Sequence, residues 1–189
     1  MQPYYNYFTR EISYGAKHPQ RQLSMAVDLD TLPLFVRGGS IVPTRQRARR
    51  SASMMVRDPL TLTVVLDGNG EANGRVYLDD GHSFEYVDGA CLDRYFDFES
   101  SRRGWSLKST GAEECKSYPD GEDVLIERIQ ILGLKQAPKE VTVREGDGRA
   151  VEYAWEEGTA ASRGKEGRAS VLTIKKPLLR VRDDFMIVG

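Results

Sequence analysis

A chain of 189 residues makes one ordinary domain or two small ones, and 40% hydrophobic with 29% charged residues is the composition of a globular protein with a buried core. With 27 Lys and Arg against 28 Asp and Glu, the formal net charge is −1, which argues against a broad basic face for nucleic acid or an anionic membrane. No run approaches the roughly 20 apolar residues that span a bilayer.

The opening MQPYYNYFTREISYG has no apolar h-region, so no signal peptide is read there. YYNYF (4–8) reads as a strand with little before it to pair with, and the chain is therefore expected to be a piece of something longer. LSMAVDL (23–29) reads as a further strand. PLFVRGGSIVP (33–43) reads as a buried strand, a close backbone approach at Gly38 and Gly39, and a short strand ended by Pro43. Arg45, Arg47, Arg49 and Arg50 follow among Gln, Ala and Ser. Burying such a run without partners is costly, so it is read as a solvated crossing between two sheet systems.

From residue 60 the strand signals are dense. Leu60, Leu62, Val64 and Leu66 alternate with Thr61, Thr63, Val65 and Asp67, a period of two. DGNGEANG is turn chemistry, because Gly and Asn tolerate the positive φ of tight hairpins. RVYLDDG, HSFEYVDG and LDRYFDFE read as successive short strands, and VLIERIQIL, EVTVRE, AVEYAW, SVLTIKK and DDFMIVG continue the series. EEGTAASRGKEGRAS (156–170) reads as a loop or a long hairpin connection. No segment keeps an i, i+3, i+4, i+7 apolar pattern. The expected fold is all-β with little helix, with strand spacing that suggests a β-sandwich and the boundary between two sheet systems near residues 44–58.

Candidate chemistry is thin. The arginine cluster could meet phosphate or an acidic partner, but a solvated charge run explains it as well. Asp79, Asp80 and His82 are ligand-type residues whose spacing matches no metal loop, and turn chemistry accounts for them. The adjacent acids Asp79/Asp80, Glu113/Glu114 and Asp183/Asp184 point to opposite faces if they lie on strands, so they form no facing carboxyl pair. Cys91 and Cys115 could pair in an oxidising compartment; the reading preferred is that they are unpaired or incidental, since the apolar content can build a core without a staple. Trp105 and Trp155, with the nine tyrosines, could stack on sugar rings, although aromatics on strands are more often core. No residue is assigned a catalytic, cofactor-binding or metal-binding role, and no cofactor, nucleic-acid or membrane partner is expected.

YYNYFTRE, LDTLPLFVRGGSIVPT and DPLTLTVVLDGNGEANGRVYLDDGHSFEY occur in an order that resembles the region after the catalytic barrel in family 31 glycoside hydrolases, the α-glucosidase group. PLFVRGGSIVP (33–43) and LDDGHSF (78–84) carry most of that resemblance, and RARRSASMM (47–55) before DPLTL is similar to the endoplasmic-reticulum glucosidase II α-subunit branch. The resemblance is strong from about residue 4 to about residue 98 and looser beyond. It implies part of a proximal β-domain over 1–50 and a distal antiparallel β-sandwich over 51–189, together a noncatalytic piece of an enzyme that trims α-1,3-linked glucose from N-glycans in the endoplasmic reticulum lumen. It further implies two partners, the catalytic barrel of the parent and a noncatalytic β subunit. The family's catalytic aspartates lie on the barrel, in a motif of the D-M-N-E-P kind that this sequence lacks, so none is carried over. The competing reading is a carbohydrate-binding module using exposed aromatics.

Overall fold

The computed structural model describes residues 2–14, 25–116, 118, 121, 123–144, 148–160 and 167–189. Fifteen strands and two single-turn 3-10 helices make up its regular structure among these residues, so the fold is all-β. Two sheets share the chain very unequally.

The small sheet has four strands: β1 (Pro3–Asn6), β2 (Glu11–Tyr14), β3 (Phe35–Arg37) and the late, two-residue β13 (Gly167–Arg168), in the order β13-β2-β1-β3. Alternation along β1 turns Tyr5 inward and Tyr4 outward. Tyr5 packs with Val65, Leu132, Ala169 and Val171, and its hydroxyl donates to the Leu66 carbonyl at 2.9 Å. This contact seats the small sheet against the back of the large one.

The large sheet contains β4 (Ser40–Thr44), β5 (Leu60–Val65), β6 (Glu71–Leu78), β7 (Leu92–Ser101), β8 (Gly104–Gly111), β9 (Leu125–Leu132), β10 (Thr142–Val143), β11 (Arg149–Ala150), β12 (Tyr153–Glu156), β14 (Val171–Arg180) and β15 (Phe185–Val188). Their order is β11-β10-β15-β8-β7-β6-β4-β5-β9-β14-β12. Pairing is antiparallel except between β5 and β9 and at the β4–β6 contact. That contact is one residue pair, Ser40 with Asn73. It divides the sheet into two halves that curl over a shared core, to which β7, β8 and β15 contribute Phe96, Leu107 and Ile187, while β5, β9 and β14 contribute Leu62, Ile129 and Leu172, all at most 1% exposed.

Several local readings are corrected. HSFEYVDG is no strand: Glu85–Asp88 is an exposed 3-10 turn, because the Asp80 carboxylate accepts the His82 and Ser83 amides at 3.1 and 3.0 Å and bends the chain there. LSMAVDL forms no strand over 25–29; its first two residues lie outside the described set. PLFV is not buried, for Leu34 is exposed and Phe35 and Val36 are only half-covered. Asp67, at the head of DGNGE, does cap a turn by accepting the Asn69 and Glu71 amides. The strands it joins are not each other's partners, however, since β4 lies between them.

Gly38 and Gly39 carry the chain from the small sheet to the large one, so the sheets part upstream of residue 50. The close approach at Gly38 is to Pro3 and to the Leu66 carbonyl, rather than between β3 and β4. Pro43 lies within β4, opposite Leu62, and does not end it. Beyond Ser40 β4 has no partner on the β6 side, so an absent N–H is tolerated. At Gly74 a Cβ would sit 2.2 Å from the Ile41 carbonyl oxygen, a backbone atom that cannot swing aside.

Candidate functional site

Among the described residues, two of the three buried charged ones, Asp93 and Arg94, lie side by side at one end of the β7–β8 hairpin. Both strands are long, and their antiparallel pairing brings the residue before β7 back beside the segment after β8. Cys91 and Cys115 sit at these two places and form a disulfide, with Cα atoms 4.9 Å apart. The expectation of unpaired cysteines is therefore wrong; their separation of 24 residues is what two strands and a tight turn require. Beside the disulfide lies an open cleft of about 530 Å³, lined by Asp93, Arg94, Lys116 and Arg182 among others, with Asp183 and Asp184 on its rim.

The two buried charges of this cleft, Asp93 and Arg94, are each paired. Asp93, 3% exposed, accepts two hydrogen bonds from the Arg75 guanidinium at 2.7 and 2.6 Å. This bidentate pairing raises the Arg75 pKa above its ordinary value, mainly through the hydrogen bonds to Asp93. Arg94, 4% exposed, donates to the Ser109 hydroxyl, the Asp183 carbonyl and the Asp184 carboxylate. One guanidinium thus ties β7 to β8 and to the turn before β15. Asp183 and Asp184 lie on that turn and are exposed, and Glu113 and Glu114 are exposed beside the disulfide.

Asp79 accepts the Gly81 amide, and Asp80 is held below the usual carboxylate range, chiefly by the His82 amide. His82 is exposed. Among the described residues no group of three His, Cys, Asp or Glu side chains converges as a metal site.

The arginine run is anchored more than a solvated crossing would be. Arg45 donates to the Val56 carbonyl, Arg47 pairs with Glu127 at 3.0 Å, and Arg49 grips the buried Asp58 through two hydrogen bonds of 2.9 and 2.6 Å. The guanidinium of Arg49 holds the Asp58 carboxyl below its ordinary pKa, against the opposing effect of burial. Asp58 was missed in the sequence, although an acid nine residues from an arginine run is a usable signal.

Trp105 is a core residue, stacked on Phe98 with ring centroids 5.5 Å apart, so it is not an exposed platform. Trp155 packs half-buried against the core and donates its indole N–H to Glu157. The exposed aromatics are elsewhere. Phe84 and Tyr86 lie 6.1 Å apart on the β6–β7 connection, and Tyr4, Tyr7 and Phe8 are on the small sheet.

No protein-family model matches the chain. Over 164 residues it is 36% identical to a probable glucan 1,3-alpha-glucosidase of rice (Oryza sativa subsp. japonica), covering 86% of this chain and 17% of the relative. Over 166 residues it is 37% identical to mouse (Mus musculus) neutral alpha-glucosidase C, covering 87% of this chain and 17% of the relative. Among solved structures, a Tris-bound glucosidase II alpha subunit superposes with a TM-score of 0.82 at 33% identity, over 99% of this chain and 20% of that one. A heterodimeric ER glucosidase II complex, of catalytic subunit and the binding domain of the regulatory subunit, gives 0.79 at 32% identity over 100% and 20%.

Fold and sequence together define the class, the C-terminal β-region of a glycoside hydrolase. The chain belongs with the family 31 α-glucosidases, glucosidase II α subunits included, and spans about a sixth of the length of the curated relatives it matches.

Proposed function

We propose that this chain is the noncatalytic C-terminal β-region of a glucosidase II-like α-glucosidase, and that its role is to support the catalytic barrel of that enzyme. The observation that carries the reading is the superposition of nearly the whole chain on a fifth of a glucosidase II alpha subunit. On this reading residues 51–189 make up most of a distal β-sandwich and residues 1–50 most of a proximal β-domain, with β4 (Ser40–Thr44) joining the distal sheet and β13 (Gly167–Arg168) returning to the proximal one. The small sheet supports it: Tyr4, Tyr7 and Phe8, with Leu29, Leu32 and Leu34 on the approach to β3, are exposed apolar side chains that a neighbouring domain would cover. The Cys91–Cys115 disulfide fits an oxidising compartment, consistent with a parent in the endoplasmic reticulum lumen that trims glucose from N-glycans beside a β subunit.

The test is complementation. A glucosidase II α subunit lacking the matching region is co-expressed with this chain, and restored hydrolysis of a chromogenic α-glucoside is expected, with no turnover by the chain alone. Turnover by the isolated chain, abolished by an active-site inhibitor of the parent enzymes, would overturn the reading. A second reading, glycan binding, is favoured only by the exposed Phe84–Tyr86 pair. Glycan-array binding lost on Phe84→Ala with the fold intact would support it.

A further inference from the structure

The arginine run carries a feature that neither the fold nor the proposed role uses. Its spacing is Arg45, Arg47, Arg49, Arg50, then Ser51. Counted back from the Arg50–Ser51 bond, arginines occupy the first, second, fourth and sixth positions. Subtilisin-class proprotein convertases recognise substrates by basic side chains, with arginine immediately before the scissile bond and again at the fourth position. Their acidic subsites read guanidinium groups by charge-assisted hydrogen bonds.

The geometry suits a protease substrate. Residues 46–54 are all exposed, and the segment from Arg45 to Ser51 belongs to no strand or helix. Ser51 is extended, with φ −147° and ψ 157°, the backbone form that a protease cleft binds. The four-residue 3-10 turn Ala52–Met55 follows and buries none of its residues. Besides the Arg45 bond to the Val56 carbonyl, two ion pairs compete with a protease: Arg47 with Glu127 and Arg49 with Asp58. The first involves a side chain 51% exposed and exchanges readily with solvent. The second is anchored on a buried carboxylate and holds the loop more firmly.

We propose that Arg45–Ser51 is a processing site for a dibasic-specific endoprotease of the proprotein-convertase class, cut between Arg50 and Ser51. The step is hydrolysis: the oxygen of water bonds to the Arg50 carbonyl carbon, the C–N bond breaks, and Ser51 leaves as a free amine. The product is a nicked molecule that stays together. Ser40–Thr44 remains paired with Thr61–Val65, β13 with β2, and Tyr5 on Leu66, all across the cut. The disulfide lies wholly in the second piece and is not needed to join the two.

The test incubates the 189-residue chain with a purified proprotein convertase and follows masses and new N-termini. A single early cut is expected, giving pieces 1–50 and 51–189 that co-elute on size exclusion. Arg50→Ala should abolish it, and Arg47→Ala should slow it by about tenfold or more. Glu127→Gln, which frees Arg47, should speed it about two- to fivefold, an effect that simple loop exposure does not give. Each variant is first checked by its melting curve. If the native chain stays intact at enzyme levels that cut a free peptide of residues 43–54, the site is not one in the folded protein. A first cut elsewhere, or no slowing by Arg47→Ala, refutes the recognition, and pieces that separate refute the nicked state.

Discussion

The two sheets are built on different economies of burial. The large one closes on itself: its halves meet at a single residue pair, yet Phe96, Leu62, Ile129 and Leu172 are sealed between them. The small one has four short strands and uses Tyr5 as its main anchor, while Tyr4 and Phe8 stay in solvent. A sheet that buries one face and leaves aromatics on the other is stable only as part of a larger assembly. The large sheet encloses most of the core between its halves, whereas the small one leaves much of its apolar surface in solvent.

This contrast can be broken most sharply in the core. Phe96→Ala should cost about 3–5 kcal/mol in denaturant unfolding, because it opens a cavity between the two halves. Next comes the staple: Cys91→Ser with Cys115→Ser, or reduction, should remove about 3.5 kcal/mol, the loop-closure value for a separation of 24 residues. Gly74→Ala forces a methyl against the Ile41 carbonyl, and should cost about 1–3 kcal/mol and loosen the join between the halves.

A smaller effect is the pH dependence of the Arg49–Asp58 tie on the connection between β4 and β5. The Asp58 carboxyl has a depressed folded-state pKa, so its contribution is present above the ordinary carboxylate value of about 3.9 and is lost as pH falls through the lower folded value. The gap in melting temperature between wild type and Asp58→Asn, measured from pH 7 to pH 2, should therefore narrow below about pH 4. The smallest effect on stability should be Phe8→Ser on the small sheet, within about 0.5 kcal/mol. The same change should visibly reduce self-association of the isolated chain by light scattering, since an exposed apolar face promotes it. A wild-type chain that is already monodisperse would remove the distinction between the two sheets.

What could be read in the sequence was local. Leu60, Leu62 and Val64 announced a strand, and it is one. That Thr61 and Val65 are buried too was hidden, because β5 is covered on both faces by elements far along the chain. Asp67 announced a turn correctly, but nothing nearby says that β4 would come between the strands it joins. SFEYV alternates as a strand should, and one carboxylate, Asp80, overrides it by capturing two amides. The disulfide becomes legible only once β7 and β8 are known to be a hairpin. For the arginines, the motif was visible but its holder Glu127 was not, because 80 residues separate the partners.

The pairing of Gly167 with Ile12 also bears on how the protein is made. Translation proceeds at about 5–20 residues per second, so β2 leaves the ribosome roughly 10–30 s before the strand that will flank it. During that wait its outer edge offers open amides and carbonyls to any nascent neighbour. Closure of the small sheet therefore waits on a strand made much later than β2, and truncation shortly before residue 167 should leave that edge open.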